Sequence, residues 1–549
     1  MFSAPTLSSA SLVAMILFLA FIPWRRYNTK QSEFTNSQTH QPGQPTAPAT
    51  FPYVFPFLGS LPLAYLINPL SYVLDVQSFF QCPNPTRVKI LNKEFYVLHR
   101  QENVRALFRG SSQCTSIPLV QFALGNAFGL PAAALRTVSS DDSGGGPVPH
   151  PDSNVEARNR FEYRDHHSFG PLLEGTGLVS LVERFQKCIS DVLGDWAEEI
   201  GDEGRECDDL MRVLGDKSTA AIVDALCGTY LRELNPTFLD DFWEFDRCLQ
   251  TYLQGIPWFL APRAYAARTR VLNAVKKWQA HAREHYTPAA ETKDGDDPYW
   301  GTSFFRKRHD TFLEMDGFDY DAIASADFGA IWAVRNAVSA VSWAIFDIYT
   351  RPSLLATICT EVSACRAEDG KFDIDKLLHL PVLQAVYAET LRLRMHFYII
   401  RMPDRVDMRI RNWIIPRRKV VVTPTTVAHM DTQTWDTGLN NEHPVNEFWE
   451  GRFLKASTDG EPVFSTKDLE GSWIPYGGGP RQCPGRHFAK RQILLTITMV
   501  IAMFDVEILG RGKEVKEDFT LNGFGGGMSR ALGKVPVRIR RSSMGGINV

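Results

Sequence analysis

The sequence predicts a mainly α-helical protein with small β-sheets. Long stretches carry apolar side chains at helical spacing, notably 178–199, 217–233, 320–349 and 377–393. Runs rich in β-branched and aromatic residues are few and short: 87–98, 406–422 and 519–540. Of 549 residues, 44% are hydrophobic and 22% charged, the balance of a packed globular chain rather than a disordered one. Lys+Arg number 59 against 62 Asp+Glu, a net charge of −3, so the overall basic excess of nucleic-acid binders is absent. Nine cysteines in a chain of this length are too few for a disulfide scaffold.

In chain order, residues 1–24 contain no charged side chain, and LVAMILFLAFI runs unbroken over 12–22. Crossing a bilayer takes about 20 mostly apolar residues, a length reached by including Ala4 onward. A cleaved secretory signal carries its positive charge ahead of the apolar run and a small-residue site after it. Here Arg25 and Arg26 come after the run. An uncleaved membrane anchor over 1–27 is the expectation, with the arginines cytoplasmic, and a cleaved signal is the alternative. Residues 28–50 become Pro/Thr/Gln-rich (QPGQPTAPAT) and read as a linker. Residues 51–549 read as the folded domain. Within it, 139–157 (SSDDSGGGPVPHPDSNVEA) and 289–297 (AAETKDGDD) read as flexible surface loops.

The chemistry concentrates in 473–490, WIPYGGGPRQCPGRHFAK. A glycine triplet, Pro480 and Arg481 lead to Cys483, Pro484 and Gly485, after which helical apolar spacing resumes. Cys483 therefore ends a glycine-rich loop just before a helix N-terminus. Backbone N–H groups and the helix dipole there favour a thiolate. The glycines leave room for a flat ligand against the backbone. A single thiolate does not make a zinc site, which needs three or four ligands, and His487 is the only local partner. An iron–sulfur cluster needs about four cysteines. A cysteine nucleophile with a distant His stays open. One thiolate suffices as the axial ligand of heme.

The segment resembles the heme-binding loop of the cytochrome P-450 family, F-x-x-G-x-R-x-C-x-G, written here with Tyr476, Gly479, Arg481, Cys483 and Gly485. Tyr476 replaces the usual Phe. Glu389-Thr390-Leu391-Arg392 resembles the family's helical E-x-x-R, whose i, i+3 spacing lets the charges pair. Phe448-Trp449-Glu450-Gly451-Arg452-Phe453 resembles its F-x-P-x-R-F, with Glu450 for Pro. Pro52, Pro56 and Gly59 resemble the hinge after the anchor. The resemblance covers roughly 51–540. It implies the cytochrome P-450 fold, a single heme-thiolate domain. Cys483 would ligate the iron of heme b, Arg481 and Arg401 would hold propionates, and Glu389, Arg392 and Arg452 would form a buried network under the loop. Arg164, His166 and His167 sit where the family often has a propionate contact, without its W-x-x-x-R pattern.

The sequence departs from the family on the helix over the heme. Where A-G-x-(D/E)-T is usual, Asn336-Ala337 stands for the acid and the alcohol that deliver protons to dioxygen. The Asn version resembles the sterol 7α-hydroxylase and prostacyclin synthase branch and fungal microsomal members. Ser339 lies about 200° further round the helix and cannot substitute. The stretches 333–340, 396–400 and 523–528 match the family's substrate contacts and are mostly apolar, which suits a lipophilic substrate. Arg486, His487, Lys490 and Arg491 form a basic cluster where an acidic reductase would dock. The resemblance thus implies a single-pass protein of the endoplasmic reticulum membrane with a cytoplasmic catalytic domain. It would be a monooxygenase using O₂ and NADPH electrons from a cytochrome P-450 reductase, by analogy in secondary-metabolite synthesis. A heme-thiolate isomerase or dehydratase without a reductase is the alternative, and a heme-free tethered protein a third.

Overall fold

The computed structural model describes residues 48–51, 68–78, 85–90, 93–366 and 372–542. The expected anchor, nearly all of the linker and the Pro52, Pro56 and Gly59 hinge lie outside them. The helices that frame the site are α1 (Gln101–Gly110), α2 (Phe161–Ser168), α3 (Gly175–Ile200), α4 (Leu210–Cys227), α5 (Phe238–Arg247), α6 (Pro262–His285), α7 (Ser303–Leu313), α8 (Tyr320–Trp332), α9 (Arg335–Tyr349), α10 (Pro381–Arg394) and α11 (Arg486–Met503). Helices dominate and the sheets are small, as the apolar spacing predicts.

Helices α3, α4, α9, α10 and α11 pack against one another as the core. α3 buries Leu181, Phe185, Ile189, Leu193 and Trp196, a stripe at spacings of three and four. α9 is buried almost all round, with every residue from Val341 to Ile348 inside, as befits a helix enclosed by others. The stretch Tyr320–Tyr349 is apolar enough to cross a membrane by length and composition, yet it lies mostly within this core.

The main sheet has β1 (Ala49–Thr50), β2 (Thr86–Ile90), β3 (Lys93–Val97), β4 (Cys114–Thr115), β5 (Met395–Pro403), β6 (Val420–Pro424) and β7 (Gly526–Met528). Its order is β1-β2-β3-β6-β5-β7, with β4 on the far end of β5. β1 pairs Ala49 with Thr86, so the last two linker residues belong to the sheet. β7 lies antiparallel on β5 with Gly527 opposite His396.

The structure revises three expectations. Stretch 217–233 is two helices, because Asp209 caps α4 earlier through Met211 N–H (3.2 Å) and Gly228 ends it at φ +72°. Stretch 320–349 breaks at Ala333–Val334, without Pro or Gly. Its bonds there shift from i−4 to i−3 (Val334 N–H to Ile331, 3.4 Å; Ala337 N–H to Val334, 3.1 Å). Such a tight turn eclipses residues three apart, and Trp332 and Arg335 both reach Asp246 Oδ1 across it, at 3.0 and 2.9 Å. The loops 139–157 and 289–297 are tied down. Buried Asp141 accepts from Ser143 Oγ (2.6 Å) and Glu162 N–H (2.8 Å). Asp297 accepts from the N–H groups of Tyr299 and Trp300 at 2.9 Å each.

One buried ion cluster joins α2, α6, α7 and α8. Arg308 Nε donates to Asp327 (2.8 Å), its NH1 to Asp165 (2.9 Å) and Ser168 (2.7 Å), and Gln279 donates to Asp327 (2.8 Å). Burial lifts the Asp327 carboxyl to about 6 despite Arg308. Its folded value lies above the unfolded one, so its contribution to stability is lost as pH rises through about 6. Arg308→Met leaves Asp327 without its cation and is expected to cost about 3–5 kcal/mol. The melting temperature of the variant, followed by circular dichroism, falls further behind wild type at pH 8 than at pH 5. An equal deficit at both would remove Asp327 as the cause.

Candidate functional site

Cys483 closes its loop by donating its N–H to Tyr476 O (3.0 Å), and Gly477 N–H bonds Ile474 O (3.0 Å). Cys483 is the exposed one of the eight described cysteines, all of them free. A Cβ on Gly485 would meet only Cys483 Sγ, at 3.9 Å, so the space beside the sulfur stays open. Two glycines of the triplet also serve a neighbour within the chain. A Cβ on Gly478 would sit 2.2 Å from the Phe108 ring, and one on Gly479 2.4 Å from Ser111 Oγ. These glycines let the loop approach α1. Gly479 also needs φ +69°, a conformation that favours glycine.

Cys483 is open on one side, yet the protein packed round it raises the thiol by desolvation; the N–H groups of Gly485 and Arg486 and the Arg486 charge act against that rise, the direction expected of a helix start.

Beneath the loop, Glu389 and Arg392 form a two-pronged pair on α10, at 2.7 and 2.8 Å, with both side chains fully buried. Arg452 Nε reaches Glu389 at 3.2 Å, and Trp449 N–H adds a bond of 3.0 Å. The remaining Arg452 donors go to the carbonyls of Asp436, His443 (2.9 Å) and Pro444 (2.6 Å). Arg392 NH1 donates to His429 O (2.7 Å), and His429 Nε2 accepts from Ile474 N–H (3.1 Å). Burial holds His429 neutral, well below its usual range. His429 thus joins the ion network to the Cys483 loop, and sequence reasoning missed it. Nothing in the local sequence marks it, since its partners come from α10 and the loop. Tyr476 faces Tyr387 of α10, their hydroxyls 2.8 Å apart and buried.

Arg401 and Arg481 divide. Arg401 is buried at 7% exposure and donates only to carbonyls: Ile400 (2.9 Å), Gly478 (3.2 Å) and Arg481 (3.5 Å). Its Nε finds no acceptor and no carboxylate pairs with it among the described residues. Burial and the neighbouring Arg481 charge lower it to about 10. An unpaired buried cation beside the Cys483 loop fits an anionic ligand, and the single sulfur fits a thiolate-ligated metal; a heme with its propionates satisfies both. Arg481 does not need such a partner. It pairs with Glu162 of α2, and bonds Ser116 Oγ (2.9 Å) and Cys114 O (3.1 Å). Arg164 turns to Glu314 (2.8 Å), whereas the Arg481 charge reaches His166 and, after burial, helps lower it.

Above the break, Asn336 does not hang free. Its Oδ1 accepts from Met528 N–H and Arg335 NH1, both at 3.0 Å. Ala337 is buried at 8% exposure. His396, expected to line a pocket, turns inward to Glu517 (3.1 Å) and Thr426 (2.9 Å). Arg394 and His396 outweigh burial there and hold Glu517 down at about 2. Of that strand, Phe397 is the exposed member. The basic cluster makes neutral contacts: Lys490 to Gln384 (2.6 Å), Arg486 to Cys483 O (3.1 Å) and Arg491 to His487 O (3.2 Å).

Residues 131–531 match the family model described as cytochrome P-450. The chain is 28% identical to cytochrome P-450 monooxygenase efuG of Hormonema carpetanum, over 98% of this chain and 96% of that one. It is 29% identical to cytochrome P-450 monooxygenase fsoE of Humicola fuscoatra, over 98% and 95%. It is 26% identical to cytochrome P-450 monooxygenase calL of Penicillium decumbens, over 82% and 85%.

Glu389→Gln strips two buried arginines of their anion and is expected to cost about 3–5 kcal/mol. Its melting temperature and its yield of folded protein should both drop. Full stability in the variant would show that carbonyls alone suffice for Arg392 and Arg452.

Proposed function

The chain belongs to the cytochrome P-450 family and is an oxidoreductase of the monooxygenase type, and from that premise we propose that it oxidises a lipophilic small molecule while held at a membrane. The observation that carries the site is the pairing of Cys483 with the anion-seeking Arg401 on one loop wall. Cys483 would ligate heme iron, and Arg401 would take a propionate. When bound, the heme supplies the activation of dioxygen and the insertion of one oxygen atom into the substrate. The chain's own residues position that group: the Glu389, Arg392 and Arg452 network and His429 fix the loop, and Arg481 with Glu162 ties it to α2. Tyr476, Gly479 and Gly485 shape the loop. Asn336 and Ala337 border the substrate space, where Ala337 adds little bulk and Asn336 holds the turn 526–528 rather than a mobile proton.

Electrons would come from NADPH through a reductase, docked on Arg486, His487, Lys490 and Arg491. Residues 1–27 would anchor the chain in the endoplasmic reticulum membrane, 28–48 would link, and 49–549 would form the cytoplasmic domain, one residue pair longer than the linker boundary first expected. Trp258, Phe259 and Leu260 support a second membrane contact: they follow one another at 67, 63 and 69% exposure before α6. The fungal monooxygenase relatives support oxygenation over isomerase or dehydratase chemistry. They also support a place in fungal secondary-metabolite synthesis.

The reduced, CO-bound protein is expected to show the red-shifted Soret band of thiolate-ligated heme, and Cys483→Ala to lose it. With reductase, NADPH and O₂, a panel of lipophilic compounds should yield a product carrying one added oxygen. Product formed without reductase or O₂ would favour the isomerase. Carbonate washing of microsomes tests the membrane reading. Deleting 1–27 should lower retention, and serines at Trp258, Phe259 and Leu260 should lower it further; unchanged retention in both would overturn it.

A further inference from the structure

Arg335 is a charged residue in the middle of an otherwise apolar stretch, and it is 2% exposed. Its Nε lies 2.9 Å from Asp246 Oδ1, an ion pair too bent to be a hydrogen bond. NH1 donates to Gly526 O (3.2 Å) and to Asn336 Oδ1 (3.0 Å), and NH2 to Met528 O (3.1 Å). Asp246 on α5 is itself 1% exposed; it also accepts from Trp332 Nε1 (3.0 Å) and pairs with Arg530 (3.2 Å). Asn336 returns a bond to the same turn through Met528 N–H (3.0 Å). One guanidinium thus ties together α5, the start of α9 and the C-terminal turn.

The turn leads into the three-residue strand β7 on β5, and its glycines add little stiffness of their own. Gly525, Gly526 and Gly527 follow one another, and two of them have positive φ, +85° and +122°. A Cβ on Gly527 would sit 2.3 Å from Asn336 Oδ1 and 2.9 Å from Arg335 NH1, so the turn is docked as closely as a backbone permits. Flanking residues Phe524 and Met528 are buried at 3 and 1% exposure. A buried ion pair is seldom a better stabiliser than apolar side chains of the same size. What it offers is direction: fixed, charge-assisted bonds to two carbonyls two residues apart.

We propose that Arg335, held by Asp246, is a specificity-determining positioning residue that sets the place of the turn 525–528 over the substrate space and thereby which carbon of the substrate is presented. The proposal rests on the heme-pocket reading above. Arg335 touches neither substrate nor cofactor; it acts through the turn and Asn336.

The test uses the full-length, heme-loaded protein. Arg335→Met/Asp246→Leu removes both charges; Arg530, which also pairs with Asp246, keeps its bonds to the carbonyls of Asp246 and Arg247, so the fold should persist. Arg335→Lys keeps the charge but loses the fork. Amide hydrogen exchange over 524–530 is expected to rise about tenfold or more in both, with α10 and α11 unchanged. Affinity for 4-phenylimidazole, an iron ligand that fills the space above heme, should shift about tenfold. The product ratio from any accepted substrate should change more than the total rate. Unchanged exchange over 524–530 with an intact heme spectrum would overturn the proposal. So would exchange rising equally in α10 and α11, which would make Arg335 a plain core residue. A wild-type protein without the thiolate-heme band would overturn the pocket reading instead.

Discussion

The Glu389 carboxylate is the constraint on which the site hangs. Two guanidinium groups and one backbone N–H converge on it inside a core that admits no water to replace them. The partners come from two segments: Arg392 from α10 itself, and Arg452 with Trp449 from the turn 449–453. Through Arg392 and the neutral His429 ring the same carboxylate reaches Ile474 N–H, two residues before the tyrosine that receives Cys483 N–H. The sulfur's position is therefore a consequence of where one buried charge sits. Mutual desolvation makes such a cluster costly to disrupt and hard to shift, which is what a metal ligand requires of its support.

A second cluster repeats this logic with other residues. Asp246 gathers Trp332, Arg335 and Arg530, and the break between α8 and α9 follows from two side chains three residues apart seeking one oxygen. An acid is thus brought to this helix from α5 rather than carried on it. It is consumed in pairing, so it does not restore the acid missing beside Asn336.

Much of this was legible in the sequence where partners are close in the chain or belong to an ordered pattern. Glu389 and Arg392 sit one helical turn apart, and Arg452 follows in a recognisable spacing. The Cys483 loop announces itself through glycine, proline and arginine in seven residues. What escaped reading depends on partners far away. Arg481 looks like a free anion holder until Ser116, 365 positions earlier, and Glu162 come to meet it. His396 sits in an aromatic and aliphatic run that suggests a pocket wall, yet strand alternation turns it toward Glu517, 121 positions on. Arg335 did carry a signal: a charge inside an apolar helix demands a buried partner. Its partner's identity required the fold.

Charge bookkeeping around the loop then sets Arg401 apart from five arginines that have acids of their own. Arg392 and Arg452 have Glu389, Arg481 has Glu162, Arg335 has Asp246, and Arg394 has Glu517 and Asp347. Arg401 has carbonyls and a like-charged neighbour. The chain supplies acids for five of these guanidinium groups and leaves the sixth to carbonyls, a position that would suit an anion the chain does not encode. Binding such a group would offset a desolvation cost already present in the folded chain, so cofactor uptake and stability would be coupled at Arg401. The same uptake would bring a cation to the Cys483 sulfur on that loop. One planar group with an iron centre and carboxylate arms would meet both demands at once, whereas a metal ion or an anion alone would meet one.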